Sequence, residues 1–398
     1  MADYTKLPSS AKVKPTPFTA NIPEEKLQQM LQLAKLAPIA PEVYENVDTS
    51  RSFGMNRDWL IKARDHWVTK FDWRKHEKRI NSFPNYQTEI TDNGGSKWNI
   101  HFIALFSNKE NAIPIGLYHG WPGSFLEFLD LLDIIKKQYT PDTLPYHIIV
   151  PSLPGYTFSS GPAIDKDATW AEMSDVPGKL MHALGFESGY VAQGGDLGSF
   201  VSRYLGGFDD SCKAWHVNCC IAPPPPGSDK IPIEQIEQDF LPKGKAWLDT
   251  GTAYGQEHGT RTATIGLVLS SSPVALLAWI GEKFLEWSDE DPPLDQILES
   301  ISLYWLTDTF PRCIYPYRSL YGPDRQAIRE KLTPKGDKTP MGYSYFPKEL
   351  VAMPVAWAAL TANMVWSNRH TSGGHFAAME KPAELWSDIE EFVKAVWK

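Results

Sequence analysis

An aspartate set among glycines, a histidine behind two more, and a glutamate after a Phe-Pro pair are the residues whose types and spacing best suit chemistry. Asp196 lies in Gly194-Gly195-Asp196-Leu197-Gly198-Ser199. Residues 189–192 read as a short buried strand and 199–205 as the first turns of a helix. A strand that turns sharply into a helix strains the residue at the bend. Glycines flank such a bend because a Cβ there would strike neighbouring backbone. The bend lifts the Asp196 side chain above the sheet, and the helix start offers free N–H groups to a developing anion. A carboxylate in that place would attack carbon and give an alkyl ester, where a serine would give an acyl ester. Taken alone, the segment is equally a Gly-rich turn with an aspartate capping a helix.

An aspartyl ester is stable in water, so a second step must activate water. That calls for a neutral histidine as base and an acid to hold its tautomer. Gly373-Gly374-His375-Phe376 supplies the histidine on a glycine-rich loop after the last expected strand. Glu349, in Phe346-Pro347-Lys348-Glu349-Leu350, follows another expected strand and is the acid of choice. By spacing alone it fits a helix-capping surface carboxylate just as well. Glu380, close behind His375, is the next acid to consider.

The elements that must position these groups come in a clear order. Residues 1–110 form an N-terminal extension expected to wrap the core. It carries amphipathic helices at 23–37 and 57–71, and a hairpin whose arms, 86–90 and 98–105, flank Asn93-Gly94-Gly95. From 111 to 222 strand, loop and helix alternate. Strands are expected at 115–118, 147–150, 189–192 and 214–218, and Thr169-x-x-Glu172 reads as a capping box. Residues 223–335, opening with Pro223-Pro224-Pro225-Pro226-Gly227, read as helical only and make a lid over the mouth of the sheet. Strands return at 343–346 and 364–366, and a helix over 382–396 closes a second core segment, 336–398. Such alternation means an α/β fold, a mostly parallel sheet covered by helices on both faces, with reactive groups at the carboxyl ends of strands.

Composition narrows the partners. At 398 residues with net charge −9 and no basic block, the chain suits neither nucleic acid nor an anionic membrane. No apolar run of spanning length is found, since 264–280 is broken by Ser270-Ser271-Ser272-Pro273. A soluble, cytoplasmic protein is expected. Cys212, Cys219, Cys220 and Cys313 fit neither a zinc site nor a disulfide framework and are expected as buried thiols. Ordinary core packing accounts for most of the 15 Trp, 16 Tyr and 18 Phe, and some of the excess is expected to line an apolar pocket.

Taken together, His119-Gly120-Trp121-Pro122, Gly194-Gly195-Asp196-Leu197-Gly198 and Gly373-Gly374-His375-Phe376 resemble the epoxide hydrolases of the α/β-hydrolase fold. The likeness is greatest to the microsomal type and its soluble fungal relatives, and it covers nearly the whole chain. The order nucleophile, acid, histidine is also the order of that fold. The resemblance implies Asp196 as nucleophile, His375 as base and Glu349 as its acid partner. It implies an oxyanion hole from the backbone N–H groups of Trp121 and Leu197. Two cap tyrosines would protonate the epoxide oxygen: Tyr254, and Tyr317 in preference to Tyr315 because Arg318 continues the family's tyrosine-then-basic pattern. A phenol of pKa ~10 stays protonated at neutral pH yet can donate as charge develops. The expected partners are a small apolar aryl or alkyl epoxide and water, with no metal or organic cofactor. A homodimer and the lack of the mammalian membrane anchor are further expectations from the resemblance. Dehalogenases of the same fold commonly hold the halide with an indole just after the nucleophile, where this chain has Leu197. A catalytically inactive binding protein of this fold would usually have lost the nucleophile or the base, and both are present.

Overall fold

The computed structural model describes residues 3–222, 224–322, 325 and 338–397. Pro223 of the proline run, 323, 324 and 326–335 of the expected lid, and 336–337 of the second core segment therefore lie outside the described residues, as do the chain's extreme ends. Among the described residues nine strands form one sheet: β1 (Thr16–Phe18), β2 (Asn85–Thr91), β3 (Lys97–Leu105), β4 (Ile113–Tyr118), β5 (Tyr146–Pro151), β6 (Tyr190–Gly194), β7 (Cys212–Val217), β8 (Met341–Tyr345) and β9 (Met364–Arg369). Their order is β1-β2-β3-β5-β4-β6-β7-β8-β9. The first four in that order pair antiparallel, and from β5 across to β9 every pairing is parallel.

Side chains that alternate along a strand take the sheet to a helix layer on each face. On β7, Trp215 lies against Gly206 of the helix Asp196–Phe208. Its neighbour His216 faces the other way, its ring 5.6 Å from that of Phe392 in the helix Pro382–Val396. The capping box at Thr169 forms, with Glu172 Oε2 accepting from the Thr169 N–H at 2.8 Å.

The first hundred residues take two positions. The hairpin β2–β3, with the short β1 that the sequence pattern did not suggest, extends the sheet at its edge. The helices Glu24–Leu36 and Arg57–Thr69 instead pack on the long helices of the 224–322 stretch. There the buried Trp67 indole donates to Ser302 Oγ at 2.9 Å, and Arg51 grips Asp291 at 2.6 Å.

Between β7 and β8 the described chain is helical, chiefly Gln235–Thr250, Ala253–Thr260, Thr262–Leu269, Pro273–Trp287 and Leu294–Leu306. These helices lie over the loops that follow the carboxyl ends of the strands. Tyr304 Oη donates to the Gly123 carbonyl at 2.7 Å, just past β4. No single helix among the described residues is long and apolar enough to cross a membrane. The pair Thr262–Leu269 and Pro273–Trp287 passes that test together, but is bent by 115°.

Candidate active site

The bend after β6 is forced by close approach. Asp196 opens its helix at φ 46°, a left-handed conformation that a non-glycine residue adopts only under constraint. A Cβ on Gly194 would collide with the Gly198 carbonyl, and one on Gly198 with the Tyr118 carbonyl. Both positions therefore exclude any side chain. Ser199 Oγ donates to the Asp196 carbonyl at 2.6 Å and ties down the first turn.

The loop after β4 crosses directly over this bend. Trp121 N–H donates to Asp196 Oδ1 at 2.7 Å. A Cβ on Gly120 would strike that carboxylate and the Leu197 amide nitrogen, so the two backbone segments touch. Two amides thus stand beside the carboxylate, one of them already bonded to it.

His375 approaches from the opposite side. Its Nε2 lies 3.3 Å from Asp196 Oδ2, without the alignment of a hydrogen bond. Its Nδ1 is 2.6 Å from Glu349 Oε1, which also accepts the Leu350 N–H at 2.6 Å. Both side chains are buried. Burial pulls the imidazole pKa down, but the Glu349 and Asp196 carboxylates outweigh it and hold it well above the ordinary histidine value. Cys219 sits beside this pair, and burial followed by the same two carboxylates pushes its thiol well up. Cys219, Glu349 and His375 also offer ligand-type atoms within 4.8 Å of one another. The only such group among the described residues, it uses the two side chains that bond each other.

The histidine loop is held by the helical stretch above it. His375 N–H donates to the Trp287 carbonyl at 3.0 Å, and Gly373 N–H to Asp289 Oδ2 at 2.7 Å. A Cβ on Gly374 would meet Asp289 N and the Trp287 carbonyl, which explains the glycine before the histidine. Asp289 also pairs with Lys348, next to Glu349. Glu380 does not bond the imidazole. Its carboxylate accepts the N–H groups of Asp289 (2.6 Å), Phe376 (3.0 Å) and Gly374 (3.2 Å), thereby bracing both neighbours of His375.

The tyrosines come from above. Tyr254 and Tyr317 are buried, with their rings edge-on at 5.9 Å. The Tyr254 ring stacks on Trp121 at 5.1 Å and 14°, and Tyr317 stands edge-on to Trp121 at 6.1 Å. Burial, with the Asp196 charge adding, pushes both phenols well above the ordinary tyrosine value, so both stay protonated. Tyr315 faces elsewhere, its hydroxyl 3.4 Å from the Pro154 carbonyl.

Several residues here escaped the sequence reading. Glu127 lines the same pocket as Asp196 and His375, and burial pushes its carboxyl up to about 8. Its signal was the Ser124-x-x-Glu127 spacing before a helix. Asp289 left no signal, since it reaches Gly373 from 84 residues away.

Comparison with known proteins follows the same lines. A family model described as the epoxide hydrolase N terminus matches residues 15–128. The structure of Aspergillus niger epoxide hydrolase aligns with a TM-score of 0.92 over 100% of both chains, at 48% identity. A Dothistroma septosporum protein named as a candidate epoxide hydrolase is 47% identical over 99% of this chain and 93% of its own length. Epoxide hydrolase 1 of Sus scrofa is 28% identical over 95% of this chain and 88% of its own.

Proposed function

The chain belongs to the epoxide hydrolases of the α/β-hydrolase fold, and on that premise we propose how its residues divide the work of turning an epoxide into a vicinal diol. Asp196 attacks a ring carbon, the epoxide C–O bond breaks, and Tyr254 and Tyr317 hydrogen-bond and protonate the departing oxygen. His375, oriented by Glu349, then takes a proton from water, which attacks the ester carbonyl; the ester C–O bond at Asp196 breaks and the imidazolium returns that proton to the departing oxygen. The Trp121 and Leu197 amides hold the tetrahedral oxyanion, and the diol leaves. The observation that carries this reading is the position of Asp196. One carboxylate oxygen is held by Trp121 N–H at 2.7 Å, and the other faces His375 Nε2 at 3.3 Å. A simple general base would not need an amide on the oxygen that becomes the oxyanion.

The substrate in this reading is an apolar aryl or alkyl epoxide, supported by the rings of Trp287 and Phe310 that pack on Trp121, whose amide holds Asp196. The division into 1–110, a core of 111–222 and 336–398, and a cap of 223–335 belongs to the same reading. It is supported by the sheet passing from β7 to β8 across the helical stretch. So do a cytoplasmic location, supported by four buried cysteines without a disulfide, and a homodimer, supported by Leu36, Tyr44 and Phe53 exposed near the N-terminus.

The test is isotopic. With enzyme in large excess over styrene oxide in ¹⁸O-water, the single-turnover diol should carry almost no label. Its new oxygen comes from Asp196, and water's oxygen stays on the enzyme. Full label in that first diol would mean direct attack by water and would overturn the covalent route.

A further inference from the structure

The helix Pro273–Trp287 is apolar along most of its length and carries one lysine on its buried side. Lys283 is 7% exposed, and a lysine that deep is rare unless its charge is compensated. Part of the compensation is an ion pair with Glu282. The rest is aromatic: Nζ lies 5.1 Å from the Tyr254 ring centroid, 5.8 Å from that of Trp287 and 6.0 Å from that of Trp279.

The pair is asymmetric. The Glu282 side chain is 27% exposed against 8% for Lys283, so the anion faces water and the cation faces the rings. Glu286, the other acid within a turn, is exposed. From the helix opposite, the titratable groups that face Lys283 are Tyr254 and His258. Burial, with the Lys283 charge adding, holds His258 down to about 3, and its Nε2 accepts the Trp279 indole N–H at 3.0 Å. His258 is therefore neutral, and Lys283 supplies the positive charge at this side of Tyr254.

An apolar side chain of similar length would fill this space without the cost of desolvating an ammonium. The charge needs a use, and its neighbour supplies one. We propose that Lys283 is a positioning residue of the ring-opening step: its ammonium, held against the Tyr254 ring, stabilises the negative charge that this phenol acquires as it protonates the departing epoxide oxygen. The proposal rests on reading Tyr254 as one of the two acids.

The step balances. The bond from Asp196 oxygen to carbon forms as the epoxide C–O bond breaks, and its electron pair goes to the oxygen. The Tyr254 proton moves to that oxygen, and the phenolate is later reprotonated from water. The cation is needed only while the phenol carries charge, so it bears on the first chemical step and not on ester hydrolysis.

The test is single-turnover kinetics with styrene oxide, following ester formation and ester hydrolysis separately. The variants are Lys283→Met, Lys283→Arg, Tyr254→Phe and the double Lys283→Met/Tyr254→Phe. Lys283→Met should slow ester formation roughly tenfold and change hydrolysis by less than about twofold, while Lys283→Arg restores most of the rate. In the Tyr254→Phe background the Lys283→Met change should have almost no further effect, because the group it acts through is gone. Ester formation requires the protonated phenol, so it is lost as pH rises through the phenol pKa. Lys283→Met should move that alkaline limb to higher pH, which a loss of packing would not do. If Lys283→Met does not fold, Lys283→Gln takes its place. An equal Lys283→Met effect with and without Tyr254, or equal slowing of both steps, overturns the role of Lys283. Slow Tyr254→Phe with unimpaired Lys283→Met overturns it too. A fully active Tyr254→Phe would instead remove the acid assignment of Tyr254 itself.

Discussion

The floor of the site and its roof are held in place by different means. On the floor, backbone segments pass so close that glycine is compulsory: Gly120 over Asp196, Gly194 and Gly198 at the bend, Gly374 under the Trp287 carbonyl. Asp196, the Trp121 amide and His375 inherit their positions from the course of the chain. On the roof, Tyr254, Tyr317 and His258 are placed by ring packing, with centroids 4.9–5.9 Å apart. Close-packed backbone has two options, to fit or to fail, whereas packed rings can shift to absorb a change. In the proposed mechanism the floor carries the nucleophile and, through His375 and Glu349, completes the second step, while the roof assists the first alone. Substitutions at the two should therefore separate by step as well as by size.

The largest expected effect lies on the floor. Glu349→Gln leaves the shape of the pair intact but removes the charge that orients and stabilises the His375 imidazolium. By analogy with the serine triad, ester hydrolysis should fall about 10³–10⁴-fold while ester formation proceeds. The alkyl-enzyme should then accumulate and appear as added mass on the intact protein. A pH effect follows with a definite sign. Glu349 is the first of the groups that raise the His375 pKa against burial, so Glu349→Gln lowers it. The base works only when neutral, so hydrolysis fails as pH falls below this pKa. The acid limb of the residual hydrolysis should therefore move to lower pH. An unmoved limb with both steps slowed alike would make Glu349 structural.

The same contrast decides what could be read from the sequence. Floor residues announced themselves because a chain that must approach itself closely spends glycines in short, fixed patterns. Gly194, Gly198 and Gly374 are such residues, and their patterns led to Asp196 and His375. Strand, loop and helix alternation gave the mostly parallel sheet, since buried strands are short apolar runs between turn residues. What was not legible depends on contacts between distant segments. The three-residue β1 has no periodicity to detect, and it exists because β2 offers an edge. In sequence Asp289 looks like an ordinary loop charge just past a helix, and Lys283 like an ordinary helix-surface charge. Only the fold sets one against the Gly373 amide and the other against the Tyr254 ring.

The next effect in size lies on the roof. Tyr254→Phe and Tyr317→Phe each remove one donor from the departing oxygen and leave the ring that packs on Trp121. Each should slow ester formation by about 10²–10³-fold, the cost of a lost oxyanion donor, with little change in hydrolysis. The double variant should nearly abolish ring opening. Tyr315→Phe, whose hydroxyl faces Pro154, should leave both steps near the wild-type rate. Equal losses at Tyr315 and Tyr317 would blur the distinction between floor and roof, because the roof would then act by packing alone.

The smallest effect falls where floor and roof meet. Glu380 touches neither Asp196 nor the imidazole, but its two oxygens together accept three N–H groups. Oε2 takes those of Asp289 and Gly374, and Oε1 takes that of Phe376. Glutamine in this place can keep acceptors for one side of the bracket only, because its NH₂ group would point at an N–H on the other. One backbone donor next to His375 would lose its partner, at a cost of about 1–3 kcal/mol in the bracket. The imidazole would keep its bond to Glu349 but lose part of its fixed distance to the ester. Ester hydrolysis should fall about tenfold, and ester formation should hold, since Asp196 and its Trp121 amide belong to other loops. Because Glu380 stands outside the imidazole's own hydrogen bonds, the acid limb of hydrolysis should shift far less than in Glu349→Gln. Rapid-quench measurement of both steps across pH separates the outcomes. A loss in ester formation as large as that in hydrolysis would mean that Glu380 holds the roof down on the floor rather than bracing the base.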